Sequence, residues 1–135
     1  MIRIRPYAQK DREAVEKICL VTADEELRTT REKEEGVLAV WCHYYIDREP
    51  QKCFVAVNEE DTAIGYILCA QDYKSWRETF LRDYVEGSEN PYIREAGRDS
   101  VLEGAKYAAY PAHMHIDILP EYQRIGIGGS ILKKI

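Results

Sequence analysis

The residues with the most chemical capacity lie between His113 and Ser130. Ala112-His113-Met114-His115-Ile116-Asp117-Ile118-Leu119-Pro120 alternates polar and apolar side chains, and Gln123-Arg124-Ile125-Gly126-Ile127-Gly128-Gly129-Ser130 follows as a compact glycine loop. A strand to Pro120, a loop and a helix starting near Ile127 are predicted. A helix start leaves backbone N–H groups unpaired and carries partial positive charge, so it suits a pyrophosphate. Gly126, Gly128 and Gly129 let a ligand approach the backbone closely, and Arg124 adds positive charge at the mouth. Two nucleotide motifs fail here. No lysine follows Gly129 as Walker A requires, and Ile131 occupies the third glycine position of G-x-G-x-x-G. On the preceding strand His113, His115, Asp117 and Leu119 share one face. A metal set from His-x-His-x-Asp is possible in principle but is disfavoured, since alternate strand positions lie ~7 Å apart. No metal is expected.

Other elements must position these groups. Ile2-Arg3-Ile4-Arg5 alternates as a half-buried first strand that Pro6 ends. From Asp11, Val15, Ile18, Cys19 and Thr22 form one face of an amphipathic helix, with charged residues opposite. Asp24 to Glu35 is charged and reads as a mobile connection with room for a helical turn of its own, interrupted by Gly36. Val37, Trp41, Tyr44 and Tyr45 predict a second helix that closes before Pro50. Phe54-Val55-Ala56-Val57 and Ala63 to Ala70, joined by Asn58-Glu59-Glu60-Asp61, predict two antiparallel strands buried on both faces. Between about 72 and 110 lies a helical insertion. Its Trp76/Phe80/Tyr84 stripe reads as a core-packing face, with a pocket wall as the alternative.

The run Gln123-Arg124-Ile125-Gly126-Ile127-Gly128 fills every position of Q/R-x-x-G-x-G/A, and in this it resembles the acyl-CoA pyrophosphate loop of the GNAT superfamily of N-acetyltransferases. The context extends the resemblance to residues 1–71 and 111–135, in the family's element order. It implies a single 1–135 domain of α/β class: a GNAT-type three-layer fold, with a mixed, mostly antiparallel sheet flanked by helices, lacking the family's C-terminal strands. The run from His115 to Gln123 looks most like the subgroup related to the acetyltransferase-like domain of some O-GlcNAc hydrolases. The implied co-substrate is acetyl-CoA. Backbone groups of Ile118 and Leu119 would meet its pantetheine arm, and Gln123 to Gly128, with Gly129 and Ser130, would hold its pyrophosphate. The implied reaction is acetyl transfer to an amine acceptor, with Asp117 orienting or deprotonating the amine and His115 as a base of near-neutral pKa. The alternative reading is a non-catalytic acyl-CoA-binding module. An incomplete sheet edge would also favour a homodimer.

Composition supports this class. The chain has 135 residues, 45% hydrophobic and 32% charged, enough for one core in one domain. Its net charge of −5 and lack of a basic patch argue against nucleic-acid or membrane-surface partners. Cys19, Cys42, Cys53 and Cys69 show no metal-ligand spacing, and the N-terminus has no signal-like apolar run. Buried free thiols in a cytoplasmic protein are expected.

Overall fold

The computed structural model describes residues 2–105 and 112–123. Two apolar, β-branched runs form the centre of its sheet, as their sequence demands. These are β2 (Phe54–Val57) and β3 (Ala63–Ala70), paired antiparallel. Between them Asn58 Oδ1 accepts the backbone N–H groups of Glu60 and Thr62, both at 3.0 Å, and Asp61 takes a left-handed φ of 61°. β1 (Arg3–Pro6) adds to β2, with Pro6 opposite Phe54 at the end of an outer strand. β4 (His113–Ile118) adds to β3, giving the order β1-β2-β3-β4. All pairings among the described residues are antiparallel.

Arg5 on β1 makes two bonds to the buried Asp11 carboxylate, at 2.7 and 2.8 Å, and Asp11 also accepts the Ala8 N–H. This fixes the entry to α1 (Arg12–Thr22), whose Val15, Ile18 and Cys19 are buried as their spacing predicts. The helix packs on β3 and β4.

The charged segment after α1 is more ordered than its composition suggests. It holds a 3-10 turn over Glu25–Arg28 and then α2 (Arg31–Leu38), capped by Thr30 Oγ1 on the Lys33 N–H at 3.2 Å. Gly36 does not interrupt the helix. It is buried within α2 because the helix carrying Tyr92 crosses there, and an added Cβ would lie 3.2 Å from Tyr92 Cβ. Helical backbone then continues through a π-helical turn, Ala39–His43, into α3 (Tyr44–Arg48), which ends before Pro50.

In the insertion, Asp72 caps α4 (Tyr73–Phe80) by accepting the Ser75 N–H at 3.0 Å. A second π-helical turn, Leu81–Val85, touches the first. Asn90 and Pro91 then start α5 (Pro91–Gly104), the capping residue followed by the proline that a first helical turn tolerates. Trp76 and Phe80 are buried and stacked at 5.0 Å, so the aromatic stripe packs on the core as read from its spacing.

The main core lies between the helices and one face of the sheet, where Val55, Val57, Tyr66 and Leu68 are fully buried. Each such apolar side chain contributes about 1.5 to 3 kcal/mol of burial free energy. A smaller cluster on the opposite face joins Ala56, Ile64 and Ile67 to Ile4, Ile116 and Ile118. Cys19, Cys42 and Cys53 are buried free thiols, and Cys69 is half-buried. No helix among the described residues is long and apolar enough to cross a membrane.

Candidate active site

Strand alternation places His113, His115 and Asp117 on the face of β4 that meets the helices. Each finds a hydroxyl there. Tyr66, the register partner of Asp117 on β3, donates to its Oδ2 at 2.7 Å. Tyr45, on α3, meets His113 Nε2 at 2.9 Å and His115 Nε2 at 3.0 Å, with both imidazoles edge-on to its ring. Trp76 closes against His113, ring centroids 4.7 Å apart.

The row borders two cavities. One, about 650 Å³, has aromatic walls from Trp41, Tyr45, Tyr73 and Trp76, with His113 and His115 inside and Asp99 and Glu103 from α5. The other, about 290 Å³, is bounded by Thr22, Asp24 and Leu27 and contains Asp117. His115 and Trp41 belong to both. The catalytic candidates therefore come together, His115 standing where the cavities adjoin.

Burial sets the protonation of this row. It pushes the His115 imidazole down to about 4, with His113 adding to the effect, and it lowers His113 as well. His115 is thus no base of near-neutral pKa, because its charged form would lose too much hydration. Burial raises Asp117, against the opposing bonds from Tyr66 and Thr22.

A pH dependence follows. An unfolded histidine binds its proton near 6.5, whereas folded His115 does so only near 4. The unfolded state binds more protons in between, so stability present above 6.5 is lost as pH falls towards 4. For His115 alone the loss is about 3 kcal/mol. Urea midpoints measured from pH 7.5 to 4 should fall, and His115→Gln should flatten the curve. Asp117, shifted upward, acts in the opposite sense near its own range, so comparison with the variant isolates the histidine. A slope unchanged by His115→Gln would disprove the assignment.

At the end of β4 the Leu119 N–H donates to Ile64 O at 2.9 Å, and Leu119 O accepts the Tyr122 N–H at 2.9 Å. The Leu119 backbone is thus already engaged within the chain. Ladder alternation turns the N–H groups of Ile116 and Ile118 to the edge away from β3. Ile118 O accepts Gln123 Nε2 at 2.9 Å, so the side chain that opens the glycine loop is tied back to the strand. Arg124, Ile125, Gly126, Ile127, Gly128, Gly129 and Ser130 lie outside the described residues. No group of three or more metal-ligating side chains occurs among the described residues.

Tyr45, Trp41 and Tyr66 escaped the sequence reading. Their spacing marks core positions, and only the phenolic oxygens of the two tyrosines hint at more.

No family model matches the chain. Among solved structures, SsHAT is similar at a TM-score of 0.82 and 26% identity, over 98% of this chain and 74% of that one. An agmatine N-acetyltransferase aligns at a TM-score of 0.60 and 16% identity, over 99% and 67%. A Drosophila melanogaster polyamine N-acetyltransferase aligns at 0.57 and 14%, over 99% and 68%. The fold of this chain is that of the GNAT acetyltransferases, the family that its Gln123-to-Gly128 run also resembles.

Proposed function

We propose that the protein is an acyltransferase that moves the acetyl group of acetyl-CoA to a primary amine of a small molecule or protein by direct attack. The observation that carries this reading is one strand, β4, that borders both cavities with His113, His115 and Asp117 and leads into the loop opened by Gln123. Acetyl-CoA supplies the activated thioester. Outward N–H groups of Ile116 and Ile118 suit a pantetheine amide arm, and the loop from Gln123 to Gly128, with Gly129 and Ser130, suits the pyrophosphate. The amine must lose its proton before its lone pair attacks the carbonyl. The N–C bond then forms, the C–S bond breaks and the thiolate takes up a proton. In this reading His115 and Asp117 accept or orient the amine proton.

The larger cavity is suited to an alkylammonium acceptor. The partly exposed rings of Trp41 and Tyr73 suit a cation, and Asp99 and Glu103 also line the cavity. Agmatine and polyamines, the acceptors named for two of the similar structures, share this chemistry. The net charge of −5 is in keeping with a cytoplasmic protein acting on such cations, with no nucleic-acid or membrane partner.

Calorimetric titration with acetyl-CoA, with its desulfo and dephospho analogues as controls, tests the first half, and saturable one-to-one binding is expected. Thiol release with agmatine and a diamine tests the second. Asp117→Asn should cut turnover by about 10²-fold and leave acetyl-CoA affinity within about twofold. No binding by folded protein would sink the proposal. Binding without turnover on any amine would reduce it to a non-catalytic acyl-CoA-binding module.

A further inference from the structure

Tyr45 is fully buried, and its one hydroxyl meets the Nε2 atoms of two imidazoles, His113 at 2.9 Å and His115 at 3.0 Å. A phenol has one proton to give, and each neutral imidazole has one N–H and one lone pair. If both rings carried their proton on Nδ1, two Nε2 lone pairs would face a hydroxyl able to satisfy only one. If both carried it on Nε2, the phenolic proton would need another acceptor. The indole N–H of the nearby Trp76 is only a donor and cannot take that proton. The first leaves an imidazole lone pair, and the second the proton of the buried phenol, without a partner inside the protein, which folded proteins avoid. One arrangement satisfies all three groups. Tyr45 donates to one histidine and accepts from the other.

We infer that Tyr45 is a positioning residue that holds His113 and His115 in opposite tautomers, so that at any moment one of them presents an unprotonated Nδ1. The catalytic consequence rests on the transferase reading. A buried imidazole is too weak a base to keep an ammonium proton, so the proton has to be passed on. The relay balances when His115 holds Nε2–H. Its Nδ1 takes the amine proton, its Nε2–H passes to the Tyr45 oxygen, the Tyr45 proton passes to His113 Nε2, and the His113 Nδ1 proton leaves to water. Charge is conserved at each step.

The tautomers can be read without substrate. Two-bond ¹H–¹⁵N spectra of ¹⁵N-histidine-labelled protein near pH 7.5 should show one ring protonated on Nε2 and the other on Nδ1. In Tyr45→Phe, which keeps the ring and removes the oxygen, this contrast should collapse. His113→Ala, the second variant, should leave His115 as the one side chain bonded to Tyr45 among this trio and shift its Nε2 signal. Two rings in the same tautomer in the unmodified protein, or a pattern unchanged in Tyr45→Phe, would overturn the inference. With an accepted amine, Tyr45→Phe should lower kcat by about tenfold at constant acetyl-CoA KM. Opposite tautomers without turnover would count against the transferase reading and leave the tautomer pair standing.

Discussion

His115→Gln should lower kcat by about 10² to 10⁴, the range that a positioned general base contributes, with acetyl-CoA affinity unchanged. Glutamine approximates the length of the imidazole and can still meet the Tyr45 hydroxyl, so the wall between the cavities survives. It cannot take a proton. His115 alone of the candidates belongs to both cavities, so the largest single effect on turnover is expected there. Steady-state kinetics beside calorimetry would check this, and retention of more than about a third of kcat would remove His115 from the chemistry. The acid-stability series provides a control, because the same variant should be more tolerant of low pH.

Gly128→Leu should abolish measurable acetyl-CoA binding, a loss of at least about 100-fold, or about 2.7 kcal/mol. Anion capture by backbone N–H groups requires the ligand to approach main-chain atoms, and a branched side chain at the last glycine of Q-x-x-G-x-G stands in that path. The near-ultraviolet spectrum of the variant should be unchanged. Unaltered affinity would refute the role of the Gln123-to-Gly128 loop.

The strands, α1 and the first helix of the insertion were legible because their period shows locally. Val15, Ile18 and Cys19 announce one face and Trp76 and Phe80 another, whereas the caps at Asp72 and Asn90 emerge only in the structure. The α2 segment was misread for a physical reason. Its charges lie on a solvated face, and Gly36 records a helix crossing, which depends on Tyr92, 56 residues away in the chain. The site was half legible. The row from His113 to Asp117 is visible as alternation within one strand, whereas its partners Tyr45 and Tyr66 arrive from other elements, at sequence separations of 68 and 51 residues. The depressed pKa of His115 was beyond reach for the same reason, since burial is a property of what surrounds β4.

The π-helical turn at Ala39–His43 places one more residue in that turn than a regular helix would hold. Because the wider turn takes up that extra residue, the helix that follows keeps the phase it would have after a regular turn one residue shorter. The turn is therefore a reserve of chain length ahead of Tyr45. Deleting one residue between 39 and 43 should relax it to regular helix and leave Tyr45 facing the two imidazoles, whereas one further inserted residue has no such reserve and would turn Tyr45 by about 100°. A scan of single-codon deletions and insertions would show that asymmetry.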